Sequence, residues 1–274
     1  MYILPLLFAF AATPAIAAPA CPAPLHAGAS DLGQASFRED DRVGGAAIDV
    51  VRELARRTNC PLDISWYPRA RLWAEYAGGR INVTASSARS AERDRLGQFV
   101  PFVTTRFDLV LSHRVTGSYK SLAEFVEHSS ARLNLVRGIL YTPDAEAQVA
   151  RLREQGRVEV VNDFDIAFRK IASKRAEATL APMTIYARYL QSADLQGHVS
   201  VMQVTESFPV LAGAYLSRSD LSPAARKVFA DALLGMVADG TVARIYGKYV
   251  GEANGRALVP DHGRGIISAY QQLP

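Results

Sequence analysis

Few residues in this chain of 274 are of a type and spacing that could carry chemistry. It has two cysteines, Cys21 and Cys60, and five histidines. No Cys-x-x-Cys or His-x-x-x-His spacing brings them together, so neither a metal centre nor a reactive thiol is expected. A Gly-x-Ser-x-Gly nucleophile turn and a phosphate loop are also missing from the sequence, and the chemistry they would imply goes with them. The pattern predicts no cofactor and no catalytic residue. What remains for the cysteines is each other, because an even count in an exported chain invites a disulfide. Cys21 stands just before the first predicted strand and Cys60 just before the second. Consecutive strands of an α/β chain are often neighbours, which would bring the sulfurs within bridging range. Two unpaired thiols are the alternative.

Export is read from the first residues. An apolar run over residues 3–12 precedes Ala15-Ile16-Ala17, a small-x-small pattern that predicts cleavage before Ala18 and a signal peptide over residues 1–17. This leader carries no Lys or Arg, and Pro5, Thr13 and Pro14 break it up too early for a membrane anchor. Lipid attachment at Cys21 is a competing reading, although Ala18 stands where such a site places an aliphatic residue. The net charge of +4 is spread along the chain. That suits an anionic ligand, and without a basic patch interleaved with aromatics it gives no support for nucleic acid.

Any ligand-holding residues must be positioned by an alternation of short β-type runs and helical periods. A strand is expected over residues 24–28. Ile48, Val51, Leu54 and Ala55 recur at helical spacing over Ala46–Thr58, and Arg56 and Arg57 suit that helix's C-terminus. Leu62, Ile64 and Trp66 alternate as a strand that Pro68 ends. Leu72, Trp73 and Tyr76 mark a helix up to Gly78-Gly79, with Trp73 assigned to its core face. Strands follow over residues 81–85 and Phe107–Ser112. The pattern then restarts. Ser121 and Glu124 form a capping box, Leu133–Val136 is a strand, and Thr142-Pro143 opens a helix. Further strands are predicted at 158–161, 178–181, 199–204 and 210–216, with helices carrying Phe164, Phe168 and Ile171, then 183–190. Ser222-Pro223 opens a helix that Gly240 stops, Val242, Ile245 and Tyr249 mark a last one, and residues 254–274 read as an irregular tail. Two units of roughly a hundred residues each predict two lobes with a ligand cleft between them.

Four segments carry a family likeness. Gly45-Ala-Ala-Ile-Asp49-Val-Val with Leu54-Ala55 forms the first. Gly79-Arg-Ile-Asn82, Ser90-Ala-Glu92-Arg93 and Phe99-Val-Pro101-Phe102 form the second. Arg137-Gly138 is the third, and Ala238-Asp239-Gly240-Thr241 with Ile245-Tyr246-Gly247-Lys248-Tyr249 the fourth. In this order they resemble the bacterial extracellular solute-binding proteins of family 3, the polar amino-acid type. The resemblance implies an α/β, two-lobed, periplasmic-binding-protein-like fold of type II. Each lobe would be a mixed sheet flanked by helices, with two strand crossovers as a hinge near residues 107–112 and 208–212. Lobe 1 would span 18–110 and 211–253, lobe 2 would span 111–210, and the tail 254–274.

The resemblance also implies roles. Arg93 matches the arginine that pairs with a ligand carboxylate, where a planar guanidinium offers two parallel donors. Ser86, Ser87 and Ala88 fall where the family lines the cleft with main-chain amides and one hydroxyl, and Ala88 takes the hydroxyl's place. Gly138 and the amides of Ile139 to Tyr141 would make an anion-binding helix start across the cleft. Around Ala181-Pro182-Met183, where amino-acid binders keep an aspartate for the ligand ammonium, Pro182 or its apolar neighbours stand instead. An unpaired ammonium there would be costly, so the ligand is expected to bear a carboxylate without an α-ammonium. Arg69, Arg71, Arg89 and Arg137 sit on segments that can face the cleft, and Tyr67 and Phe37 are candidate cleft aromatics. The implied protein is a monomer in the periplasm, with a small-molecule ligand and a membrane permease of an ABC-type importer. Two rivals stay open. One is a dehydratase-like enzyme on a cyclic carboxylate, for which Glu92 is the only carboxylate in the motif and better suited to capping a helix. The other is a ligand-sensing module for a membrane receptor.

Overall fold

The computed structural model describes residue 21 and residues 24–273. The expected signal peptide, residues 1–17, lies outside the described residues. In chain order the first elements are β1 (Leu25–Ala29), a hairpin of β2 (Phe37–Glu39) and β3 (Arg42–Gly44), α1 (Ala46–Thr58), β4 (Leu62–Trp66), α2 (Arg69–Ala77), β5 (Val83–Thr84), β6 (Ser87–Ala88), α3 (Ala91–Leu96) and β7 (Gly97–Thr105). There follow β8 (Phe107–Ser112), α4 (Leu122–His128), β9 (Leu133–Val136), α5 (Pro143–Glu154), β10 (Val158–Val161), α6 (Phe164–Ala172), β11 (Ala178–Pro182), α7 (Met183–Tyr189) and β12 (Val199–Met202). The chain closes with β13 (Val210–Ser217), α8 (Pro223–Ala238), α9 (Thr241–Val250), α10 (Glu252–Ala257), a 3-10 turn Pro260–Gly263 and α11 (Arg264–Gln271). No helix among the described residues is long and apolar enough to cross a membrane.

Two mixed sheets divide these strands. The first has the order β4-β1-β5-β13-β6 with β7 on β13, and the second β10-β9-β11-β8-β12. Each sheet and its helices form one lobe. The chain crosses between lobes at Arg106, from β7 into β8, and returns over residues 207–209 into β13. The crossings thus fall at the N-terminal margins of the expected stretches, and all of β8 pairs within the second sheet. Parallel pairing of β1 with β4 and β5, and of β9 with β10 and β11, lines up the carboxyl ends of these strands. The loops that leave those ends are where ligands bind in open α/β sheets.

Local sequence explains how the first lobe holds its shape. Along α1 the apolar residues Ala47, Ile48, Val51 and Leu54 are buried, and Asn59 ends the helix in the left-handed conformation with its N–H on Ala55 O and Arg56 O. Parallel pairing of Leu25 with Leu62 places the residues just before β1 and β4 side by side. Cys21 and Cys60 are there, and they form a disulfide with their Cα atoms 5.7 Å apart.

Three differences from the sequence expectation have physical causes. The nine-residue β7 went unread because Pro101 sits inside it, and a proline demotes a run from strand status. Its pairing with β13 shifts register between Ala212 and Gly213, and the irregularity accommodates the proline opposite Gly213. A Cβ on Gly213 would stand 2.0 Å from Val100 O, so only glycine fits. The expected irregular tail from 254 is instead largely helical. Leu258, Val259 and Ile266 are buried, Thr104 N donates to Leu258 O (2.8 Å), and Gln98 Nε2 donates to Tyr270 Oη (2.6 Å). These helices are short, with too few apolar periods to be legible alone. The predicted strand over 81–85 shortens to Val83–Thr84.

The disulfide closes a sequence separation of 39 residues. Replacing both cysteines with alanine should lower the unfolding free energy by about 2–4 kcal/mol, read from urea melts. An unchanged midpoint would show that the bridge does not restrain the chain.

Candidate functional site

Two arginines meet where the lobes face each other. Arg69 opens α2 directly after Pro68, and Arg93 lies in the first turn of α3, whose N-cap Ser90 Oγ accepts from Arg93 N at 3.2 Å. Their residual exposures are 6% and 7%, unusually low for arginine. Nη1 of Arg69 donates to Ser30 Oγ (3.2 Å) and Ser86 O (3.0 Å), and its Nη2 reaches Ser87 Oγ at 3.5 Å. Its Nε is buried with no acceptor. Arg93 donates from Nη1 to Ala88 O (2.9 Å) and, across the cleft, from Nη2 to Gly138 O (3.3 Å).

Both guanidiniums lie over the ring of Trp73, Arg93 at 4.0 Å and Arg69 at 5.7 Å from its centroid. Trp73 follows Arg69 by four residues on α2, so helical geometry puts the ring on the side of that arginine. Tyr76 and Tyr215 hold it edge-on at 5.7 and 5.6 Å. The Tyr215 hydroxyl donates to Asp94 Oδ1 (2.8 Å), tying the platform to α3. Assignment of Trp73 to plain core therefore missed its role. The legible signal was the pair Arg69 and Trp73 one helical turn apart.

The electrostatics of the pair are unbalanced. Among the described residues neither arginine forms an ion pair. Burial pushes Arg69 down to about 9, with the positive charge of Arg93 adding to the effect, and burial alone pushes Arg93 down to about 10. Both values stay above neutrality, so two desolvated positive charges coexist at pH 7 with no acid paired to either, and the more distant Glu92 offsets only part of the cost at Arg93. The cation–π contact with Trp73 offsets part of that cost.

Arg69 and Arg93 line one cavity together with Ser86, Ser87 and Ala88 from the first lobe and Phe107, Ile139, Leu140, Pro182, Thr184 and Ile185 from the second. Leu32, Ala35 and Val103 complete its apolar wall. Its volume is about 60 Å3, on a scale where one water needs about 10–15 Å3. No Asp or Glu lines it. The nearest strand carboxylate, Asp108 beside Ala181 in the sheet register, is occupied by Arg106 Nε (3.0 Å) and the Tyr186 hydroxyl (3.0 Å).

The remaining expected site residues fall elsewhere. Arg137 is exposed and Tyr67 packs beside Leu72 and Tyr76, neither lining the cavity. Arg71 pairs with Glu75 (3.0 Å) and Arg89 with Asp94 (2.7 Å), so both are neutralised on the surface. Phe37 lies 4.2 Å beneath Arg188 and edge-on to Tyr249 instead of facing the cleft. Tyr141 lines a neighbouring groove with Phe208 and Leu211. Gly138 to Tyr141 form the loop before α5 and not a helix start, and Ile139 and Leu140 of that loop line the cavity. Ile139 N already donates to Val136 O (3.3 Å), and α5 begins only at Pro143 with Thr142 as its N-cap.

The two lobes touch along α7. Gln34 N donates to Thr184 O (2.6 Å), the Tyr189 hydroxyl to Asp31 Oδ2 (2.7 Å), and Arg188 Nη2 to Glu39 Oε1 (2.9 Å). Burial raises the Asp31 carboxyl, and the bonds from Tyr189 and Gly33 N–H pull it partly back. Gly33 has φ +59°, and a Cβ on it would stand 2.4 Å from Ile185 Cα. Gly138 packs less tightly in the other direction, where a Cβ would lie 3.3 Å from Ala70 N.

Residues 28–252 match the bacterial extracellular solute-binding proteins, family 3. No curated protein is similar enough to count as a relative. Solved structures with the same fold include an ancestral arginine-binding protein bound to glutamine, 20% identical, with a TM-score of 0.70 over 84% of this chain and 98% of that one. An amino acid ABC transporter substrate-binding protein from Streptococcus pneumoniae bound to L-arginine is 11% identical, with a TM-score of 0.69 over 84% and 95%. A histidine kinase sensor domain with similarity to periplasmic binding proteins is 13% identical, with a TM-score of 0.70 over 84% and 97%.

Gly33→Ala would meet backbone across the lobe contact and adopt a strained φ, together costing on the order of 1–2 kcal/mol or more. Its affinity for any ligand that stabilises the parent should fall about tenfold by calorimetry, with circular dichroism unchanged. Parental affinity would remove Gly33 from the closing contact.

Proposed function

The chain belongs to the bacterial extracellular solute-binding proteins of family 3, and from that premise we propose that it closes on a small carboxylate lacking an α-ammonium and delivers it to a membrane permease. The likeness to solved proteins bound to glutamine and to L-arginine supports binding without chemistry. One observation carries the reading of the ligand: two buried guanidiniums line the interlobe cavity with no acidic residue to balance them. A carboxylate between the lobes supplies the missing charge and accepts hydrogen bonds that Arg93 is placed to give. An α-ammonium in the same cavity meets no carboxylate, because Pro182 and Thr184 stand where an acid would be needed and Asp108 is already engaged.

Binding then works by charge-driven closure. In an open state the guanidinium of Arg93 is hydrated and attracts the anion. As the second lobe swings in, Ile139, Leu140 and Ile185 exclude water, the local dielectric falls, and the ion pair strengthens. The contacts of α7 with Asp31, Gln34 and Glu39 exist only in the closed arrangement, so they add a fixed bias toward it. Crossings as short as the single residue Arg106 leave the lobes few ways to move other than as hinged bodies. The permease as the recipient is supported by the family and by the likeness to substrate-binding proteins of amino acid ABC transporters. The likeness to a histidine kinase sensor domain supports the same closure used as a receptor signal, with the same ligand chemistry.

Thermal-shift measurements on matched pairs test the ligand class. Propionate against alanine, and 4-methylpentanoate against leucine, differ chiefly in the ammonium. The deaminated acid should give the larger shift, approaching about 2.7 kcal/mol of added stability at a hundred times its dissociation constant. Larger shifts from the amino acids would overturn the proposal.

A further inference from the structure

Arg93 accounts for one carboxylate, which leaves Arg69 without a counterpart. We infer that Arg69 forms a second anionic subsite, so that the ligand is a short dicarboxylate held between two guanidiniums over Trp73; this rests on the carboxylate reading above.

The argument starts from charge. A ligand with one acid group would neutralise Arg93 and leave Arg69 sealed with it in the closed cleft, an unpaired cation whose desolvation is uncompensated. A surface arginine could turn to solvent, but Arg69 cannot. Its Nη1 is pinned by Ser30 Oγ and Ser86 O, its Nη2 approaches Ser87 Oγ, and only 6% of the residue is exposed. Its Nη2 makes only the long contact with Ser87 Oγ at 3.5 Å, so that nitrogen keeps hydrogens for an oxygen in the cavity that Arg69 lines. A donor fixed in place by neighbours and short of partners is preorganised for a ligand oxygen.

Geometry sets the size. Both guanidinium carbons lie over one indole ring, at 4.0 and 5.7 Å, so they are at most about 10 Å apart, within the span of a short ligand. The cavity that both arginines line has carbon from Leu32, Ile139 and Ile185 in its wall. That lining suits a methylene chain with an acid at each end better than a compact inorganic dianion, which would leave the wall dry and empty.

The test compares succinate and glutarate with monomethyl succinate, pentanoate and inorganic phosphate by calorimetry. Monomethyl succinate keeps the shape of succinate and removes one charge. The parent protein is expected to bind succinate or glutarate at least tenfold more tightly than the three other probes. In Arg69→Gln that preference should collapse to under threefold through a loss of succinate affinity, with pentanoate bound no more weakly than by the parent, and Arg69→Lys should recover only part of it. Monomethyl succinate matching succinate, or phosphate binding most tightly, would overturn the second subsite while leaving the carboxylate reading intact. Equal loss of pentanoate and succinate in Arg69→Gln would make the residue a structural strut and also overturn it. No binding of any carboxylate to the parent would overturn both.

Discussion

The structure turns on two positive charges that it buries and does not balance. Removing an arginine from water costs several kcal/mol unless an acid accompanies it, and proteins bury arginines almost only in pairs with acids. Arg69 and Arg93 break that pattern beside a cavity that both lobes line. The fold tolerates them because Trp73 lies under both and main-chain carbonyls of Ser86, Ala88 and Gly138 accept their outer hydrogens. These contacts hold each group in place without neutralising it. The deficit is left for a ligand, and that is how a binding protein acquires both affinity and a preference for charge.

The rest of the architecture places this deficit where closing the protein settles it. Parallel strands β1, β9 and β11 point their carboxyl ends at the cleft; the loops after β1 and β9 supply Leu32 and Ile139 to its walls, and the end of β11 supplies Pro182. The short helix α3 is capped by Ser90, which fixes the backbone of Arg93, and Tyr215 from β13 ties that helix to the tryptophan platform. On the opposite side α7 meets the loop after β1 through glycine-close packing and three hydrogen bonds. Closure therefore joins an electrostatic clamp to a packed contact several residues away along the same loop. The disulfide between Cys21 and Cys60 braces the start of β1, from which that loop leaves.

Much of this was legible in the residues. Helix α1, strands β4, β8 and β9, and the capped starts of α4, α5 and α8 follow from periodicity and N-cap chemistry, and the disulfide from the order of two strands. The family motifs pointed to Arg93, to residues 86–88 and to the missing acid near Pro182. What was hidden depended on long-range neighbours. Apart from Trp73 one turn on, nothing local separates Arg69, which is buried, from Arg71 or Arg89, which find acids on the surface, because the difference lies in Ser30 and Ser86 accepting from one of them. Trp73 looked like core because its neighbours at helical spacing are core. β7 was masked by a proline next to the register irregularity at Phe102 within the strand itself, and the C-terminal helices by their shortness.

The central claim is that Arg93 is kept at a cost to the empty protein for the sake of a bound anion. It is tested most directly by comparing urea denaturation of the parent and Arg93→Met, each with and without a saturating carboxylate. If the charge is uncompensated, the ligand-free variant is at least as stable as the parent, by analogy with the gain of about 1–4 kcal/mol seen when buried charges give way to apolar residues, and the carboxylate adds nothing to it. A ligand-free variant that is several kcal/mol weaker, yet still stabilised by the carboxylate, would show that Arg93 is there to hold the fold and would contradict the account.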